Sequence, residues 1–316
     1  MHVNEVGMAV NIVVPIVVLA MRLEAEWLHV FLAALITHYV LAVTVFGMRT
    51  LFCIVVVPTY MTSMLLAFSF DRNLLLIAMA ILLAVYKVGV AMSACLHRYA
   101  AHSAFKCGPS TRFALGVIGC SANQGGPIWW ASQHRLHHKF CDTPRDPHSC
   151  SVVGTEQAFA FFMVHRTIDE EFAPAHLEDK YMRVLDTWSF LVVSMEIMLA
   201  FALFGREGLF VAYTAVWICQ TITLWFNVCN HPPKTLEKCK AVNSRGKPDS
   251  YYPAFWFLDM LYPMFGALVQ EEKHADHHDH STLAKRCWWD MAYWGFIKPL
   301  EMARLVWDVK VYDKDE

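Results

Sequence analysis

Four long apolar segments, arranged as two close pairs, dominate this sequence. They cover residues 51–69, 74–95, 188–204 and 209–226. A helix needs about 20 apolar residues to cross a bilayer, with a range of roughly 17 to 25, so each segment is long enough. Only a few polar residues separate the two members of each pair, which predicts two helical hairpins. The composition agrees, since 17% of the residues are charged against about 25% in soluble domains. We therefore predict an all-α integral membrane protein with a four-helix transmembrane core.

The first 50 residues leave two alternatives open. Residues 27–47 are long enough to span a membrane, whereas residues 7–21 are short for a span and contain Pro15. This region is either an extra membrane hairpin or an amphipathic pair on the core. We predict two units, a hydrophobic N-terminal segment over residues 1–50 and one domain over residues 51–316.

Nine histidines lie in four groups at the ends of these apolar segments. They are His97, His102, His134, His137, His138, His231, His274, His277 and His278. Imidazole is the commonest metal ligand in proteins, and the pattern H-x-x-H-H occurs twice. On a helix, positions i, i+3 and i+4 share a face, so each trio aims three imidazoles into one space. Nine ligands are too many for one ion, and the pattern predicts a dinuclear metal centre at a membrane surface.

The order of segments allows all nine histidines to share one side of the membrane. Two spans lie between the second and last groups and return the chain to the side it left. The apolar stretch 113–130 could cross once, but its residues 123–127 are Asn-Gln-Gly-Gly-Pro, which are poor in a lipid-exposed helix. We expect a re-entrant or surface helix there. Several cations mark the histidine side as cytoplasmic by the positive-inside rule: Arg98, Lys106, Arg112, Arg135, Lys139 and Arg145.

The number of histidines favours iron. A structural zinc site is complete with four ligands, whereas imidazole also suits iron. Two adjacent irons could activate O2 and attack an unactivated C–H bond, and a lipid chain is the natural substrate at a membrane surface. A membrane metal transporter or a zinc-bound receptor is the alternative, and it predicts polar groups threading through the spans. The net charge of −2 and the lack of a basic stripe with interleaved aromatics give no sign of nucleic-acid binding.

Four histidine-bearing segments resemble the metal-binding elements of the stearoyl-CoA-type fatty acyl desaturases. They read H-R-Y-A-A-H at residues 97–102, Q-H-R-L-H-H-K at residues 133–139, N-V-C-N-H at residues 227–231 and E-E-K-H-A-D-H-H at residues 271–278. The similarity extends over roughly residues 51–309, in family order and spacing. Alkane hydroxylases and sterol-type oxidases use H-x3-H in the first box, so the spacing H-x4-H is specific.

The resemblance implies four transmembrane helices under a cytosolic helical cap that holds two irons. By this analogy each iron has its own ligand set. The first set is His97, His102, His134, His137 and His277. The second set is His138, His231, His274 and His278, with Asn227 acting through a bound water.

The resemblance also implies the reaction, which is insertion of a cis double bond into a long acyl chain. It uses O2 and two electrons from a separate donor, such as cytochrome b5 with its reductase or a ferredoxin, because no His-Pro-Gly-Gly haem signature occurs in the sequence. A eukaryotic source implies the endoplasmic reticulum, with the metal site facing the cytosol. Hydroxylation by the same di-iron core stays open. The resemblance implies acyl-CoA as the carrier of the acyl chain. An acyl-lipid is the alternative, because residues 232–264 and 270–273 depart from the family pattern over the expected headgroup entrance.

Other residues carry weaker expectations. We expect Gln124 and Trp130 to contact the substrate, and His148 to support the ligands rather than bind metal. Lys87 and Glu196 fall inside predicted spans, where they form either a substrate or proton site or an ion pair with each other. His176 is expected at the surface.

Overall fold

The computed structural model describes residues 29, 36, 40, 73–154, 158–159, 167–229, 268 and 274–311, and this part of the chain is mostly helical. The α-helices are α1 (Leu74–Tyr86), α2 (Pro109–Cys120), α3 (Pro127–Phe140), α4 (Cys150–Val153), α5 (Lys180–Thr187), α6 (Phe190–Cys229), α7 (His274–Asp279) and α8 (Lys298–Met302). Two π-helical segments, Lys87–Ala101 and Tyr293–Ile297, and two short strands, β1 (Lys106–Cys107) and β2 (Val306–Trp307), complete the elements used below. The expectations for residues 7–47 and 51–69 lie outside the described residues.

Two helices in the described ranges are long and apolar enough to cross a membrane. The first runs through α1 into the π-helical segment, from Leu74 to Ala101, and the second is Phe190–Asn227 within α6. Helix α1 begins after Asn73, whose side chain accepts a hydrogen bond from the Leu75 backbone amide at 3.1 Å. Large apolar side chains on its outer face are exposed, with Leu82 68% exposed. A face of that kind suits lipid better than water.

Helix α6 is broken where the sequence predicts a polar turn. Gly205 has φ 62° and ψ −143°, a left-handed conformation that glycine adopts without steric cost. A Cβ added to Gly208 would lie 2.2 Å from the carbonyl oxygen of Ala200. In a straight helix these two residues would be more than two turns apart. The chain therefore bends back sharply between residues 204 and 208.

The apolar stretch 113–130 does not form one continuous helix. Helix α2 ends at Cys120 and α3 begins at Pro127, with Asn123 (φ 57°) and Gly125 (φ 98°) in left-handed conformations between them. Lys87 and Gln220 hold the connection between α2 and α3 in place. Lys87 Nζ donates to the Ser121 carbonyl at 2.8 Å, and the Asn123 amide donates to Gln220 Oε1 at 3.2 Å. The connection is thereby fixed against both candidate membrane helices.

The C-terminal segment folds back onto the first histidine helix. Strand β2 pairs antiparallel with β1, with Lys106 opposite Trp307 and Cys107 opposite Val306. Tyr293 and Ile297 are buried in the same apolar cluster as Leu96. The C-terminal segment therefore packs against the π-helical segment that carries His97.

Candidate metal centre

The first histidine pair lies on a π-helical segment, and this geometry explains its unusual spacing. In an α-helix, residues five apart point about 140° away from each other. In the π-helix Lys87–Ala101, hydrogen bonds join residues five apart, and the His102 amide donates to the His97 carbonyl at 3.1 Å. The two Nε2 atoms consequently lie 3.2 Å apart. The H-x4-H pattern is thus a one-turn repeat of a π-helix.

The second histidine group is presented by α3, whose start is held by a side chain from another helix. The Asp186 carboxylate accepts hydrogen bonds from the Ile128 amide at 2.7 Å and the Trp129 amide at 2.9 Å. These amides lack partners within the helix, and a carboxylate there also favours the helix dipole. A Cβ at Gly126 would lie 2.5 Å from the Asp186 Cα, so only glycine fits this contact. The sequence analysis missed Asp186, because no local pattern links it to residue 126.

Five histidines from three different segments converge on one space. His134 Nε2 lies 2.9 Å from His102 Nε2 and 3.0 Å from His138 Nε2, and His277 Nε2 lies 3.0 Å from both His97 Nε2 and His138 Nε2. Ligand atoms of His97, His102, His134 and His277 all lie within 4.8 Å of one another. Imidazoles bind metals at about 2.0–2.1 Å, so neighbouring ligand nitrogens of one ion are about 3 Å apart. The donor set and its spacing fit a histidine-bound metal.

His137 and His278 form the second part of the cluster. The His137 Nδ1 donates to Asp146 Oδ2 at 2.8 Å, which leaves Nε2 as the nitrogen that can bind a metal. The His278 ring stacks on His138 with centroids 4.0 Å apart, and it lies 5.2 Å from the His137 ring. His148 is buried against His137 with ring centroids 4.2 Å apart.

Four members of the first expected ligand set lie together, and His138 lies beside two of them. The family analogy groups His137 with His97 and His102, whereas in the structure His138 lies beside His134 and His277. His137 instead lies with Asp146, His148 and His278. The reason is helix geometry: adjacent positions 137 and 138 point about 100° apart on α3, so they enter different parts of the cluster.

The buried imidazoles are in the protonation state that metal binding needs. Burial, followed by the charge of Arg135, holds the pKa of His102 well below its usual range. Burial also holds the pKa of His134 and of His277 well below that range, with neighbouring histidines adding to the effect. Neutral imidazole is the form that donates a lone pair to a metal.

Trp130 and Gln124, which we expect to contact the substrate, are both buried. The Trp130 ring stacks on His134, with centroids 4.8 Å apart and planes at 23°. Gln124 is 1% exposed, and its amide donates to the Gln220 carbonyl at 3.4 Å. Trp130 therefore lies directly against a ligand candidate, while Gln124 is fixed to the second candidate membrane helix.

Of three further expected ligands, the structure describes one fully, one in part and one not at all. The Asn227 amide donates to the Ala158 carbonyl at 3.1 Å. His274 is the first residue of α7, and its side chain lies outside what the structure describes. His231 lies outside the described residues altogether, as do residues 232–264 and 270–273.

One surface expectation is wrong, and one of the cations is buried. Arg98 is 1% exposed and pairs with Asp290. His176 is half-buried, with its ring 5.2 Å from that of Tyr99 and its Nδ1 3.3 Å from Ser103 Oγ. His176 therefore packs against the end of the first candidate span and the residues that follow it.

Candidate membrane helices joined to a convergent set of neutral histidines define a mostly helical protein whose histidine cluster could hold a metal. No family model matches the chain. It is 26% identical over 285 residues to a hex-5-enoyl-[acyl-carrier protein] acetylenase of Moorena producens (strain JHB), covering 81% of this chain and 84% of the other. It is 30% identical over 227 residues to an acyl-CoA 5-desaturase of Anemone leveillei, covering 68% and 65%. It is 26% identical over 250 residues to an sn-1 stearoyl-lipid 9-desaturase of Synechocystis sp. (strain ATCC 27184 / PCC 6803 / Kazusa), covering 74% and 72%. The chain belongs to the fatty acid desaturase family.

Proposed function

We propose that this chain is a membrane oxidoreductase that uses O2 to insert a cis double bond into a long-chain acyl substrate. The observation that carries the proposal is the convergence of imidazole Nε2 atoms from three sequence-distant segments on one buried space. These atoms belong to three of the four histidine boxes on which the family resemblance rests. The relatives are named for acyl-CoA, acyl-lipid and acyl-carrier-protein substrates, and an acyl chain is what these names share.

The centre would hold two iron ions. All nine histidines would serve as ligands, with Asn227 acting through water. Iron bound there would supply the O2-derived oxidant that removes hydrogen from the acyl chain. The chain's own residues prepare this centre: Asp146 orients His137, the π-helix aligns His97 with His102, and burial keeps the imidazoles neutral. The geometry supports His138 as the imidazole next to both His134 and His277.

We propose four transmembrane helices in two hairpins, with the histidines on the cytosolic side and residues 51–316 forming one domain. The sharp bend at Gly205 and the two candidate membrane helices support this topology. In a eukaryote the membrane would be the endoplasmic reticulum. Two electrons per turnover would come from a separate donor protein, such as cytochrome b5 with its reductase or a ferredoxin.

The acyl chain would pass along Trp130, since this ring is buried against His134 and presents a flat apolar surface beside a ligand candidate. Gln124 would fix the connection between α2 and α3, which leads into the helix that carries Trp130. Acyl-CoA is our preferred carrier, because the first box and its spacing follow the stearoyl-CoA type.

Expression in a yeast strain that lacks its own fatty acyl desaturase tests the function, with gas chromatography of total fatty acids as the measurement. We expect a new monounsaturated acid whose double-bond position identifies the regiochemistry. His274→Ala should abolish this product, whereas His280→Ala, at an exposed neighbouring histidine, should retain it. Hydroxy acids in place of unsaturated acids, or full activity of His274→Ala, would contradict the proposal.

A further inference from the structure

A buried carboxylate, Asp290, receives four hydrogen bonds from parts of the chain far apart in sequence. Arg98 Nη1 lies 2.9 Å from each of its oxygens and 2.6 Å from the Ala284 carbonyl. The backbone amides of Arg286 and Tyr293 each donate to Asp290 at 3.0 Å. Arg98 and Asp290 are 1% and 0% exposed. Charges buried this deeply are costly unless they are paired, so the contact fixes both segments.

Two of the three partners of Asp290 lead to a histidine of the candidate centre. Arg98 follows His97 directly on the π-helix. The Arg286 side chain extends to His277, where Nη1 donates to Nδ1. The neutral ring therefore carries its proton on Nε2, and a metal bound there would displace that proton. Because the Arg286 amide is bonded to Asp290, the carboxylate fixes the backbone from which this guanidinium reaches His277.

The contacts form a closed ring of interactions. It runs from His97 through Arg98 to Asp290, then through Arg286 to His277, whose Nε2 lies 3.0 Å from His97 Nε2. The first and last histidine boxes are 180 residues apart in sequence. Asp290, which lies in neither box, bridges Arg98 of the first box to the segment that reaches the last box.

We propose that Asp290, acting through Arg98 and Arg286, is a positioning residue that sets the distance between His97 and His277. This inference rests on the metal centre of the proposed function. Outer contacts of ligating imidazoles typically change metal affinity by about 10–100-fold when removed. Asp290 acts one step further out, and it acts on two ligands at once.

Asp290→Asn is the sharpest variant, because asparagine caps a helix as well as aspartate does. It keeps the contact with the Tyr293 amide while removing the charge that Arg98 pairs with. The full-length protein is purified in detergent, and iron per chain is measured by mass spectrometry together with Fe2+ affinity. We expect affinity to fall by at least tenfold. Glu301→Gln, which breaks the Lys298–Glu301 ion pair of the same C-terminal segment, should leave it unchanged.

Arg286 keeps the proposal testable if Asp290→Asn fails to fold. Its side chain is half-buried, and Arg286→Met, which removes the donor and offers no acceptor to Nδ1, should lower Fe2+ affinity, while Arg286→Lys, which keeps a cationic donor, restores part of it. Residues on one path are non-additive, so the Asp290→Asn/Arg286→Met double variant should bind Fe2+ little worse than the single variant with the larger loss. Wild-type affinity in both single variants, or losses that multiply in the double variant, would overturn the inference. Normal metal affinity in the wild type without any desaturation would instead count against the proposed function.

Discussion

Lys87 Nζ lies 2.7 Å from Glu196 Oε2 and joins the two candidate membrane helices. Lys87 is 1% exposed, and its ammonium also donates to the Ser121 carbonyl between α2 and α3. The sequence left two readings for charges at these positions, a substrate or proton site and an ion pair. The structure confirms the ion pair, which ties the helices to the connection that carries Gln124.

We expect Glu196→Gln to destabilise the protein by about 3–5 kcal/mol, because it leaves the Lys87 charge buried without its counter-ion. The Lys87→Met/Glu196→Met double variant should recover most of this loss. Thermal unfolding in detergent measures both. Arg206→Gln, which breaks the exposed Arg206–Glu207 pair, is the matched control and should change the free energy of unfolding by less than about 1 kcal/mol. A double variant as unstable as Glu196→Gln would contradict the pairing argument.

Asp146→Asn should weaken metal binding by about 10–100-fold, because the carboxylate orients His137 and raises its basicity. Asp146 also accepts from the backbone amides of Asp142, His148 and Ser149 at 2.9–3.1 Å, so the same change loosens the loop after α3. Titration of the full-length protein with Fe2+ provides the measurement. Asp169→Asn, at a turn carboxylate that accepts from the Glu171 amide, should bind Fe2+ as the wild type does.

His148→Ala should retain most of its iron, since we assign His148 a supporting contact with His137 and not a metal bond. Its ring lies 4.2 Å from that of His137, and removing it opens space beside the ligand. The measurement is iron per chain after purification. Loss of one iron of the two would make His148 a ligand and would exclude the supporting role.

The sequence predicted that the histidine groups would converge, but it did not predict the geometry that brings them together. The helix periodicity of H-x-x-H-H predicted that α3 and α7 would each present imidazoles, and the polar break at residues 205–208 was located correctly. The π-helical form of residues 87–101 was not predicted, because five-residue spacing has no face on an α-helix. Asp186 and Asp290 were missed for another reason: each acts on a box over a sequence distance that no local pattern reports. Burial of Arg98 follows from the same long-range contact.

Variants at the contact between Asp186 and Gly126 measure how much it stabilises the start of α3. Asp186→Ala removes the acceptor for two helix amides and should cost about 0.5–2 kcal/mol, the usual range for a helix cap. Gly126→Ala should cost more, because its Cβ would meet the Asp186 backbone, which cannot move aside as a flexible side chain would. Asp186→Asn, which keeps an acceptor oxygen, should lie between wild type and Asp186→Ala. Chemical denaturation in detergent orders the three variants, and a Gly126→Ala protein as stable as wild type would refute the close approach.

We expect burial of His176 to lower the stability of the folded protein in acid, independently of the metal. Burial, with the nearby charge of Arg135, lowers the pKa of His176 to about 4 from its ordinary 6.5. The folded state holds this imidazole neutral, so below pH 6.5 the unfolded chain binds a proton that the folded chain does not. The stabilisation is therefore fully present above pH 6.5 and is lost as the pH falls towards 4. In iron-loaded protein, His176→Gln should flatten the fall in melting temperature across this window, whereas His280→Ala should leave it unchanged. An equally steep fall in His176→Gln would assign the acid sensitivity to other groups.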